Sequence, residues 1–206
     1  MRHALDTHLL VVTACLLLAA CGDRTTLVAP VTEPPMYPVH ASAEGVTARD
    51  HTAQNAGLQD ELAQVRQVTA RFHRVEEAIA AGYELGWVNG SGVRIITGCV
   101  AHPTAGAMGY HYFNQQLVDD LAVDALKPEV LVYAPTPDGG LQLAAVEWVV
   151  PGPNTNPPGL SEPPSVLGME MHILVPAVGF WIKHAWIWKH NPAGMFADWN
   201  PEVTCL

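Results

Sequence analysis

The sequence predicts an α+β fold: an antiparallel sheet with one long N-terminal amphipathic helix packed on a face, joined by short helices and long loops. Three patterns carry this expectation. Apolar residues recur at three- and four-residue steps between positions 58 and 83. Two later segments, 141–150 and 180–189, have the length and apolar content of strands. Clusters of Pro, Gly and Asn separate the apolar segments and read as turns. Helical periodicity first and strand signals afterwards give an α+β arrangement.

The elements follow in chain order. Leu58, Leu62, Val65, Phe72, Ile79 and Tyr83 form the stripe of one helix over 58–81, and Gly82 stands where a left-handed C-terminal cap belongs. Turns come next at Asn89-Gly-Ser-Gly and Gly98-Cys99, around a short strand at 93–97. Residues 108–114 read as extended and 117–126 as a short helix. Pro128 opens a strand at 130–133, and Pro135-Thr-Pro-Asp-Gly-Gly turns the chain into a second strand at 141–150, making a hairpin. A Pro/Gly/Asn loop fills 151–165, a third strand covers 180–189, and the tail over 191–201 is coil with turns.

Strand alternation selects candidate chemistry. In the third strand Phe180, Ile182, His184, Trp186 and Trp188 share a face, and Lys183 and Lys189 mark the opposite face as the wetter one. His184 therefore points inward. In the hairpin strand Leu141, Leu143, Ala145, Glu147 and Val149 share a face, which buries Glu147 among leucines. A buried carboxylate needs a partner or it loses its charge. His184 is the natural partner, and His111, beside Phe113, the third member. Tyr110 and Tyr112 can add hydroxyls. Two imidazoles and a carboxylate suit a divalent transition metal, zinc, copper or non-haem iron. The same groups also suit acid–base work in a pocket, or a hydrogen-bonded network that only sets sheet register.

Other histidines are weaker candidates. His73 has Glu76 and Glu77 one turn on, His102 lies in a loop near Cys99, and His190 is a turn residue. Met169-Glu-Met-His172 offers soft ligands, though methionine is commonly core filler. No phosphate-binding Gly loop, Gly-x-Ser-x-Gly, His-Glu-x-x-His or Cys-x-x-Cys-His motif occurs. A net charge of -10 with no basic cluster excludes nucleic acid as the expected partner.

The apolar run 9–20 is too short to span a bilayer, which takes about 20 residues. Closed by Leu18-Ala19-Ala20-Cys21, it resembles a bacterial lipoprotein signal with its lipobox. An ordinary signal peptide and a short buried helix are the alternatives. The resemblance implies cleavage before Cys21, lipid on that cysteine, and a membrane partner through the lipid. It also implies residence in the bacterial cell envelope, with Gly22 pointing to the outer membrane and its periplasmic side. The domain plan is then 1–20 signal peptide, 21–57 disordered tether, and 58–206 a single globular domain. In an oxidising compartment Cys99 and Cys205 read as one disulfide, with two free thiols as the alternative.

Gly109-Tyr-His-Tyr, Pro128-Glu-Val-Leu-Val-Tyr, Ala145-Val-Glu-Trp-Val-Val-Pro and the segment from His184 through Trp186 to Phe196 resemble an uncharacterised family of exported bacterial proteins with no known activity. The resemblance implies a secreted or lipid-anchored single domain and assigns no catalytic residue. The expected function is a lipid-anchored envelope protein that binds a small ligand or metal ion through His111, Glu147 and His184. An envelope enzyme with a His–Glu acid–base pair and a purely structural module remain the alternatives.

Overall fold

A computed structural model describes residues 48–205. The predicted signal at 1–20, the lipidation site Cys21 and most of the tether lie outside the described residues. Helix α1 spans Ala48–Thr69, so the last ten residues assigned to the tether are helical. Residues 53–57 are all exposed, which leaves no apolar stripe for periodicity to detect. Among the described residues no helix is long and apolar enough to cross a membrane.

The predicted single helix over 58–81 is broken. After α1 the chain tightens into a 3₁₀ turn, Ala70–His73, passes through extended Arg74, and resumes as α2, Val75–Ala80. Two bonds hold the break. Buried Thr69 turns its hydroxyl back to the Val65 carbonyl at 2.7 Å, which disturbs the helical ladder. The Tyr133 hydroxyl donates to the Phe72 carbonyl at 2.7 Å and draws the turn onto the sheet. The break rephases the stripe: Leu62, Val65, Phe72 and Ala78 are buried, while Ile79 is 53% exposed. Gly82 does adopt the left-handed conformation, with φ +89°.

The strands are β1 (Tyr83–Leu85), β2 (Trp87–Val88), β3 (Arg94–Ile95), β4 (Val100–His102) and β5 (Gly106–Asn114). After α3 (Gln115–Asp119) come β6 (Val130–Pro135), β7 (Leu141–Pro151), β8 (Ser165–Val166), β9 (Met169–Glu170), β10 (His172–Ile173) and β11 (Phe180–Ala185). The main sheet runs β1-β5-β6-β7-β11-β10, with β4 added alongside β5. Each ladder between these strands is antiparallel. The fold is mixed α and β, built on an antiparallel sheet with few, mostly short helices. The β6–β7 hairpin forms as expected. The helix expected over 117–126 stops at Asp119, because Asp120 and Asp124 each accept a backbone N–H two residues on and favour turns.

Both faces of the sheet are covered. On one, Leu131, Tyr133, Leu143, Val146, Trp148 and Val150 pack with Leu62, Val65, Phe72 and Ala78. On the other, Phe113, Val130, Val132, Ala145, Val149, Phe180, Ile182 and Trp186 pack under loops. Two expected faces are thereby corrected. The β6–β7 register slips between Val132 and Tyr133, which pair with Ala145 and Leu143, so Ala144 is an extra residue in β7. Leu143 consequently belongs to the helix side, and Glu147 shares its face with Ala145 and Val149, not with leucines. The strand predicted over 180–189 ends at Ala185. Trp188 then crosses to the helix side, where its indole N–H donates to the Thr69 hydroxyl at 3.2 Å. The face expected to be the wetter one is so at Trp181 and Lys183, half-buried against buried Phe180, Ile182 and His184, but past Lys183 it carries Ala185, fully buried, and Ile187, nearly so.

Cys99 and Cys205 form the expected disulfide, with Cα atoms 5.6 Å apart. It ties the C-terminal tail to the segment leading into β4.

Candidate metal centre

The three residues chosen by alternation meet on the loop-covered face. His111 lies on β5, Glu147 on β7 and His184 on β11. Glu147 and His184 are direct cross-strand partners. His111 reaches Glu147 across β6, where His111 pairs with Val132 and Glu147 with Val130. Strands two apart are ~9.6 Å distant, a gap that an imidazole and a glutamate can close together over intervening valines. All three residues are buried.

One ligand-capable atom from each residue lies within 4.8 Å of the other two. His111 Nε2 is 3.5 Å from Glu147 Oε2, and His184 Nδ1 is 3.6 Å from Glu147 Oε1. Charge-assisted hydrogen bonds close to ~2.7–2.9 Å. These contacts are ion-pair distances, and neither ring nitrogen of His184 nor Nδ1 of His111 has a hydrogen-bond partner among the described residues. The His184 ring instead stacks on Trp186, centroids 4.9 Å apart. The indole N–H of Trp186 is held by the Ala197 carbonyl at 2.6 Å, which fixes that wall.

The electrostatics separate the charges. Burial pushes His111 below the usual histidine range, against the pull of the Glu147 carboxylate, and the His184 charge adds to the push. Burial alone would raise Glu147. The adjoining His184, with the charges of His111 and the more distant His172, outweighs it and holds the carboxyl below its ordinary value. A metal ion takes the carboxylate ionised and each imidazole neutral, so binding here would displace any proton the rings carry.

His111 and Glu147 also face a cavity of about 270 Å³. Its other walls are apolar: Met108 and Phe113 from β5, Val149 from β7, Phe180 and Ile182 from β11, Ile96 and Val100 from the segment around β4, and Leu174, Val175 and Val178 from the β10–β11 loop. Sequence reasoning missed the cavity. Its loop walls carry no periodicity, and only the apolar content of Leu174 to Val178 hinted at a covered surface.

The remaining candidates do not join. Tyr112 points to the opposite face, against Tyr133 at 5.1 Å, and Tyr110 shares that side of β5 by alternation. His73 packs edge-on to Trp188, and Glu77 pairs with Arg74 instead. His102 Nδ1 accepts the Thr104 and Ala105 N–H groups of its own turn. Met171 is core filler on the helix side, while His172 pairs with Asp198 at 3.1 Å. Exposed His190 lies 4.0 Å from Glu202. Among the described residues, His111, Glu147 and His184 form the sole group of three or more potential ligands. One buried acid went unforeseen: Glu129, just before β6, accepts the Val149 N–H at 3.0 Å.

No protein-family description, curated protein or solved structure matches this chain. The reading of the site therefore rests on its own geometry.

Proposed function

We propose that the protein binds a divalent transition metal through His111, Glu147 and His184, as a lipid-anchored protein of the bacterial cell envelope. The spacing around the Glu147 carboxylate carries the metal reading. A tetrahedral centre with bonds of ~2.0–2.2 Å sets its ligand atoms ~3.3–3.6 Å apart. The two histidine–carboxylate distances, 3.5 Å to Oε2 and 3.6 Å to Oε1, are of that size and well beyond a direct bond, and the three ligand atoms as a set lie within 4.8 Å of one another. A register-setting network would close those gaps, since an unpaired polar atom in the interior costs ~1–3 kcal/mol. Three protein ligands leave a coordination position for another molecule, an arrangement that catalytic and ligand-binding metals share.

The anchoring half of the proposal rests on the lipobox resemblance at Cys21. The Cys99–Cys205 disulfide supports export alone, because such bonds persist in oxidising compartments.

Metal analysis of the purified full-length chain tests the central claim. The expected result is one equivalent of Zn²⁺ or Co²⁺ at neutral pH, with affinity reduced at least a hundredfold in Glu147→Gln and in His184→Asn while both variants keep the wild-type circular dichroism. A chain that binds no metal, and whose Glu147→Gln variant loses stability only, would make the His–Glu set architectural.

A further inference from the structure

The cavity beside the metal ligands has one polar end and is otherwise hydrocarbon. Its two polar lining residues, His111 and Glu147, are the ligands themselves; Met108, Phe113, Val149, Ile182 and the loop residues supply the rest. The far walls offer water no hydrogen-bond partner, so a hydrocarbon group that displaces water from them is favoured. The cavity's volume of about 270 Å³ is just under the ~300–1,000 Å³ of sites for drug-sized ligands. A short hydrocarbon chain or a single ring is therefore the right size. Two neutral imidazoles and one carboxylate around a divalent cation leave a net charge of +1, which favours an anionic oxygen donor in the open position. We infer that the pocket takes a small lipophilic carboxylate, its oxygen completing the metal's coordination and its hydrocarbon part filling the cavity between β5, β7, β11 and the β10–β11 loop. This rests on the metal reading above, and it adds the ligand class.

The order along the pocket has a measurable consequence. Burying a methylene contributes ~0.8 kcal/mol, about fourfold in affinity per carbon. Titration calorimetry of the Zn²⁺-loaded full-length protein with acetate, butyrate and hexanoate should show affinity rising by about fourfold per added methylene. Hexanoate should then bind about two-hundredfold more tightly than acetate. Val178→Trp places an indole in the cavity from a loop position that does not ligate the metal, so it should abolish the chain-length gain and leave Zn²⁺ affinity unchanged. Equal affinities for acetate and hexanoate in a protein that does bind Zn²⁺ would overturn the ligand class and leave the metal centre standing. Hexanoate affinity unaltered in Val178→Trp would likewise overturn it. A chain that fails to bind Zn²⁺ at all would remove both.

Discussion

Glu129 is a carboxylic acid that the fold keeps protonated. Burial raises it to about 8, with Asp120 and Asp124 adding to the rise against the lowering effect of the backbone N–H groups it accepts. The sign for stability follows from the direction. A group raised from 4.5 to about 8 supports the folded state fully below 4.5 and loses that support as pH climbs to about 8. At ~1.4 kcal/mol per unit the loss amounts to several kcal/mol. Glu147 and His111, both lowered, titrate with the opposite sign, so the raw curve mixes the three. Glu129→Gln keeps an acceptor for the Val149 N–H and removes the proton. Its urea-unfolding free energy should gain on the wild type steadily between pH 5 and 8; parallel curves would show that Glu129 does not titrate there. Gly109 makes a second residue-scale prediction. It sits at φ +116°, and a Cβ there would lie 2.4 Å from the Tyr133 carbonyl oxygen. Gly109→Ala should cost at least ~1–3 kcal/mol in thermal unfolding and weaken metal binding, because His111 is two residues along the same strand.

At the scale of elements, the break after α1 decides which side chains hold the helices to the sheet. Leu62 is fully buried and Ile79 is 53% exposed, although both belong to one apolar stripe in the sequence. Leu62→Ala should cost ~2–5 kcal/mol in chemical denaturation. Ile79→Ala should stay within about 0.5 kcal/mol. Equal losses would mean a continuous helix. Periodicity could not see the break, because its causes, Thr69 bonding back to Val65 and Tyr133 reaching Phe72, are one local polar contact and one contact from 61 residues away. The Ala144 bulge is the same lesson in a strand. Alternation places Glu147 correctly relative to Ala145 and Val149, yet fails to reach back to Leu143 across a residue that has no partner in β6. The inward face of β11 was legible from Phe180 to His184, because no irregularity interrupts the run. Past the strand's end at Ala185, Trp186 still keeps to that side, and alternation fails at Trp188.

At the scale of the whole molecule, the disulfide closes a separation of 106 residues. Loops of that size lose ~4.7 kcal/mol of unfolded-state entropy when cross-linked. Cys205→Ser should lower the unfolding free energy by ~2–5 kcal/mol, and reduction of the wild type by dithiothreitol should match it; a smaller loss on both would place the stabilisation elsewhere. The sequence by itself determined an antiparallel sheet joined to helices, the hairpin, the cysteine pair and three of the polar side chains that the interior buries. Each is written in local chemistry: residue spacing, turn formers, and the cost of burying a charge among apolar neighbours. Only the tertiary structure decided that β6 lies between β5 and β7, that His111 and His184 approach one carboxylate from opposite sides, and that two loops roof an apolar cavity beside it. Strand order and loop placement minimise exposed apolar area over the whole chain at once, and no local pattern records that sum.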